Sequence, residues 1–278
     1  MQEKLDLERV WNQAMALLSA NRDVVLIVAG VFFFLPNVIS TLLLPAQDAL
    51  MMQIEALGDQ PDPEELMAIF SDYFAGSWWI YIVFGLVQAA GVLGLLALLT
   101  DRSRPTVGEA LGFGGKALIP YLVAQILMTL AVMFVWLLLL ALGAAIGVGV
   151  AVLLGLVGFV LAVYVWVKFS LVSPVIAIDR IMNPITALAR SWKLTKGNSL
   201  RLFALYVLLV IAVLVLSLVL GMVFALFGVL GETIGLLATA IGGGLVSMAF
   251  TTIMLAVLAA VHRQLTGGTA QGAAETFE

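Results

Sequence analysis

Between Lys116 and Lys168 the chain runs for 51 residues without a charged side chain. A bilayer core is crossed by about 20 apolar residues of helix. The stretch is therefore too long for one crossing. Gly143, Gly147 and Gly149 punctuate its middle and divide it into two spans, about 118–142 and 148–169. Four further uncharged stretches, about 24–44, 78–99, 202–227 and 234–261, bring the total to six. Hydrophobic residues make up 63% of the chain and charged residues 11%, against roughly 45–50% and 25% in soluble domains. A water-soluble globule, a disordered chain and a coiled coil are excluded. The expected fold is all-α, a polytopic membrane protein with six transmembrane helices and interfacial helices on the cytoplasmic side.

Charge placement checks the span count independently. Lys and Arg in short loops stay in the cytoplasm. The 13 basic residues fall before the first span, between the second and third, between the end of the fourth and the fifth, and after the sixth. In a six-span topology all four places lie on one side, with both termini. The opposite loops carry acids only: Asp48, Glu55, Asp59, Asp62, Glu64, Glu65, Asp72 and Glu232. The expected location is a bacterial inner membrane with cytoplasmic termini. The first span follows a mixed-charge lead and no A-x-A site follows it, so it reads as uncleaved.

A short amphipathic segment precedes each odd-numbered span. Apolar residues recur three or four apart at Val10, Ala14, Leu17 and Leu18, at Val107, Ala110 and Leu111, and at Ile185, Leu188 and Trp192. The second and third segments share a lead-in, Asp101-Arg102 then Pro105-Thr106 against Asp179-Arg180 then Pro184. Two readings stand: three copies of one helical-hairpin unit, or the amphipathic linkers common in membrane proteins. Residues 1–264 form the membrane domain and 265–278 a flexible cytoplasmic tail. The domain carries an acidic outer insertion, 46–76, in which helices are expected over 49–57, stopped by Gly58, and from Asp62-Pro63 onward.

The most informative stretch is 164–201. Lys168 lies 11 residues before Asp179 in an apolar run, deep enough for its charge to be costly. No acid lies inside a span to pair with it. It reaches a lipid phosphate or a carbonyl freed near Ser173-Pro174, or it snorkels from a tilted span. Residues 185–196 form an amphipathic helix with Arg190, Lys193 and Lys196 near its polar side, Trp192 as a headgroup anchor and Gly197-Asn198 as its stop. The candidate lipid-headgroup residues are Lys168, Arg180, Arg190, Trp192, Lys193, Lys196 and Arg201.

The turn from Ser170 to Pro174, followed by Pro-Ile-x-Ala-Leu-x-Arg-Ser-Trp-x-Leu-Thr-x-Gly-Asn over 184–198, resembles the membrane domain named after bacterial glycerophosphoryl diester phosphodiesterases. It is also similar to a related set of uncharacterised inner-membrane proteins. The match covers about 30 residues; elsewhere only the span pattern agrees. In the enzymes a soluble catalytic domain follows the membrane part. This chain lacks that domain's His-Arg start and metal-binding carboxylates, so the resemblance implies a link to envelope or phospholipid homeostasis and not the enzyme activity.

Chemistry is sparse. With no cysteine there is no thiol nucleophile, and the one histidine makes no His-rich metal site. His262 beside Arg263 reads as a helix-end residue, and the nearest thing to a reactive group is Asp179, Arg180 and His262. No catalytic residue, metal or cofactor is expected. Membrane lipids, anionic phospholipid above all, are the expected partners, and nucleic acid is not. Pro36-Asn37 and Ser173-Pro174 are kink or gate candidates. The leading expectation is a non-enzymatic membrane protein engaging anionic phospholipid in envelope or lipid homeostasis. The alternative is a transporter or channel for lipids or small amphiphiles.

Overall fold

The computed structural model describes residues 4–44, 47–58, 62–100 and 106–274. The expectations on Arg102, Arg104, the Pro105 lead-in, Asp59 and the last four residues of the tail fall outside these. The described residues are mostly helical, with short turns and loops and no strand among them. Six helical stretches are long and apolar enough to cross a membrane: Arg22–Leu43, Trp78–Thr100, Val107–Ile146, Val148–Ala177, Ser199–Leu230 and Glu232–Gly267. The chain is an all-α polytopic membrane protein. Its spans invert the surface rule of soluble domains, because side chains such as Ile119, Phe134, Leu153, Phe159, Leu218 and Met222 are exposed.

The Cα framework divides into two units, Met1–Val25 with Val92–Ala212 and Thr252–Glu278, and Leu26–Gly91 with Val213–Thr251. In the first unit, α1 (Leu7–Ala20) begins at Asp6, whose carboxylate accepts from the Arg9 amide, and buries Val10 and Ala14. The long helices α7 (Val107–Ile146) and α8 (Val148–Phe169) form a hairpin. Gly147 makes the turn at φ +152°, and the Cβ that Gly143 lacks would lie 2.9 Å from the Ala151 nitrogen. Trp136 Nε1 of α7 donates to the Gly155 carbonyl of α8 at 3.3 Å.

After a turn at 170–171 come α9 (Val172–Ala177), α10 (Pro184–Thr195) and the start of α11 (Ser199–Ala225). Pro174 lacks the N–H that would bond the Ser170 carbonyl, which is where the helix is interrupted. Helix α12 (Glu232–Ala274) completes this unit with its residues 252–274, together with residues 92–100, while its residues 232–251 belong to the second unit. It stays helical to Ala274, through the first ten residues of the expected tail.

The second unit holds α2 (Arg22–Ala29), a π-helical turn at Gly30–Phe34, and α3 (Leu35–Leu43). The widened turn precedes Pro36, which has no amide to donate and whose ring needs room against the preceding turn. Ser40 and Thr41 hydroxyls both donate to the Asn37 carbonyl at 2.9 Å, so the kink region is closed by hydrogen bonds. The insertion is a pair of helices, α4 (Gln47–Ala56) and α5 (Pro63–Ala75), and Asp62 caps the second by accepting from the Glu64 amide. Helix α6 (Trp78–Thr100) follows, with Trp78 and Trp79 exposed at its start.

One expectation needs correction. The segment 107–113 is not a separate interfacial helix, because α7 runs on through Lys116 and Pro120 without a break. The chain there holds no residue in a helix-ending conformation, whereas Asn21 ends α1 and Gly197, at φ +82°, ends the turn after α10. The inward stripe of α10 is distinct from its apolar row Ile185, Leu188 and Trp192. It consists of Ala187, Ser191, Leu194 and Thr195, while Ile185 is 68% exposed and Trp192 38%. The reason is the end of α8, whose last carbonyls lack helical partners. Ser191 and Thr195 hydroxyls donate to the Lys168 carbonyl at 2.8 and 3.3 Å.

A clasp ties the N-terminal segment to the α10–α11 junction. The Leu5 amide donates to Asn198 Oδ1 at 2.9 Å, and Arg201 Nη1 donates to the Leu5 carbonyl at 2.7 Å. Asn198→Ala leaves the buried Leu5 amide without that acceptor, a loss of about 1–3 kcal/mol. The variant is expected to be cut by trypsin after Lys4 or Arg9 several times faster than the native chain; equal cleavage rates refute the clasp.

Candidate functional site

The centre of the site is the last turn of α8. Lys168 occupies it, where a cation suits the helix C-terminus, and the residue is 3% exposed. Its ammonium lies 5.5 Å from the centroid of the Tyr164 ring, one helical turn back, and 5.3 Å from that of Trp192 on α10. Both distances are those of cation–π attraction. Trp192 also meets the Tyr164 ring edge-on at 6.0 Å and packs on Phe169 at 5.5 Å. Among the described residues no carboxylate lies within ion-pair distance of Lys168. Aromatic quadrupoles therefore face a charge that would ordinarily be buried only with an anion.

Helix α10 is set by its cap. Asn183 accepts from the Thr186 amide at 3.0 Å and Pro184 occupies the first turn. The loop before it carries a second polar cluster. Asp179 Oδ2 accepts from Arg190 Nε at 3.1 Å, and Asp179 Oδ1 lies 3.2 Å from Nε2 of His262 on α12. His262 is 2% exposed, and neither of its ring nitrogens has an aligned hydrogen-bond partner. Asp179 Oδ1 is its polar neighbour. Burial pushes the Asp179 carboxyl up, but the nearby His262 ring and then the hydrogen bond and charge of Arg190 outweigh it and hold the group below its ordinary value. Arg180 adopts φ +55°, a left-handed conformation costing about 1–2 kcal/mol for a side-chain-bearing residue. Its guanidinium stacks over Phe113 of α7 at 4.6 Å.

The seven candidate headgroup residues are thus not one array. Lys168 and Trp192 are in contact. Arg180 and Arg190 flank Asp179, while Arg201 holds the Leu5 carbonyl. Lys193 and Lys196 are exposed near the end of α10. Ser173 and Pro174 are buried in α9, and Pro36 is buried in α3.

Where α8 ends, a cavity of about 110 Å³ is lined by Gln125, Ser170, Ser173 and Tyr206 among a majority of apolar neighbours. The Tyr206 hydroxyl donates to Ser170 Oγ at 2.8 Å. Sequence reasoning passed over Ser191, Thr195, Asn198 and Tyr206. The pair Ser191 and Thr195, one turn apart in an otherwise basic helix, was a readable signal, because small hydroxyl residues on one face seek carbonyls.

Comparison with protein-family models, with curated proteins and with solved structures finds no match to this chain.

Proposed function

We propose that the chain is a non-enzymatic integral membrane protein that engages anionic phospholipids through its basic face. We place it in a bacterial inner membrane, with both termini cytoplasmic and a role in envelope or lipid homeostasis. The observation that carries this reading is Lys168, a buried cation set in aromatic rings with no carboxylate partner among the described residues. Around it, α10 turns Ile185 and Trp192 outward beside the exposed Lys193 and Lys196. That is the composition of a helix lying in a bilayer interface. Each such cation attracts an anionic leaflet by about 1 kcal/mol. The resemblance of 170–174 and 184–198 to the phosphodiesterase membrane domain points the same way.

The test is co-purification. The double variant Lys193→Gln, Lys196→Gln is expected to retain up to about thirtyfold less phosphatidylglycerol than the native chain, with helicity by circular dichroism unchanged. Equal lipid retention in a folded variant removes the reading.

The cavity where α8 ends favours a second reading, passage of a lipid or small amphiphile past Ser173. At about 110 Å³ it has room for roughly three or four waters. We therefore place it second.

A further inference from the structure

Along the spans of the first unit a groove of about 620 Å³ lies between α8 and the beginning of α11. Val160, Val163 and Val167 line one wall, and Leu200 and Phe203 the other. Tyr164 and Ser199 are the polar residues in its lining. The volume is that of a small-molecule site, yet its walls are hydrocarbon and open on the lipid-facing surface. Leu200 is 79% exposed. Water does not fill such a trough inside a bilayer; an acyl chain does.

The groove also has a direction. Positions 160, 163, 164 and 167 recur at helical spacing and form one face of α8, and Lys168 continues the row 160, 164, 168. The uncompensated cation therefore terminates the stripe that makes the groove wall. Trp192 closes over that end against Tyr164. Lys196 stands three residues before Ser199, and neither wall, 159–167 or 199–203, contains an acid.

We infer that this groove is a slot for one acyl chain of a single phospholipid, whose anionic phosphate is drawn to the Lys168 end. The headgroup half rests on the anionic-lipid reading above. The chain half rests on the shape and apolarity of the groove.

The experiment uses the full chain, reconstituted in an equal mixture of phosphatidylcholine and phosphatidylglycerol, then delipidated in detergent and weighed intact by native mass spectrometry. The native protein is expected to keep a single phospholipid, enriched in phosphatidylglycerol. Leu200→Trp, at an exposed position where a larger side chain disturbs no packing, is expected to lower the retained fraction about tenfold. Val163→Trp, on the opposite wall, is expected to do the same. Lys168→Met is expected to keep the lipid and lose the preference for phosphatidylglycerol. If both tryptophan variants keep the lipid as the native chain does, the slot is overturned, and the Lys193 and Lys196 test is untouched. If the native chain keeps a slot lipid without preferring phosphatidylglycerol, or Lys168→Met keeps the preference, the headgroup half is overturned while the slot stands.

Discussion

Gly143→Leu is expected to open the α7–α8 hairpin and to lower stability by about 3 kcal/mol, the upper end of what overpacking costs. The neighbour that a Cβ would strike is the backbone nitrogen and Cα of Ala151, 2.9 and 2.5 Å away. Backbone has no rotamer to move to, so the helices must separate. Separation breaks the Trp136 to Gly155 hydrogen bond and unpacks Gly158, over which the Trp136 ring sits. Thermal unfolding in detergent, read by tryptophan emission, measures the loss. Gly149→Ala is the control. Nothing lies within 4 Å of its missing Cβ, its backbone is not left-handed, and α8 contains it. It is expected to be neutral or slightly stabilising, by up to about 1 kcal/mol. Equal melting of the two variants refutes the close approach.

Asp179→Ala is expected to cost about 2 kcal/mol, between the small value of an exposed pair and the large value of a buried one. It strips His262 of its polar neighbour and Arg190 of its acceptor together. The same carboxylate gives the fold a dependence on acid. Its pKa is lowered on folding, so the ionised form stabilises the native state. That contribution is complete above the unfolded carboxylate value, about 3.9, and fades as pH falls through the lower folded value. Asp179→Asn removes the titration. The stability gap between native chain and Asp179→Asn is expected to stay constant above about pH 5 and to close under acid. A gap that does not narrow below about pH 4 contradicts the assignment.

The spans were legible because hydrocarbon tolerates so little charge: the uncharged runs bounded by Lys116, Lys168 and Arg201 mark helices wherever they occur. Local punctuation was equally readable. Asp62-Pro63, Gly58 and Gly197 each act within a turn of their own position. What stayed hidden depends on partners far along the chain. Nothing near Leu5 announces Asn198 or Arg201, which lie 193 and 196 residues away. Asp179 and His262 were grouped from the sequence as the nearest thing to a reactive set, but nothing in it announced their approach to 3.2 Å. The inward face of α10 stayed hidden for a related reason. Its hydrophobic residues seek lipid as readily as core, so periodicity alone did not say which face turns in, and the carbonyl of Lys168 decided it.

The unbroken course of α7 has a mechanical consequence. At about 1.5 Å per residue its 40 residues reach about 60 Å, roughly twice the hydrocarbon thickness. Segments 7–20 and 184–195 are jointed to the rods that follow them, at Asn21 and Gly197. The stretch from Val107 to Lys116 has no such joint. It is one rigid lever with the span, and a tilt imposed at Ala110 or Phe113, where it packs, is carried along the same strut to the Gly147 elbow.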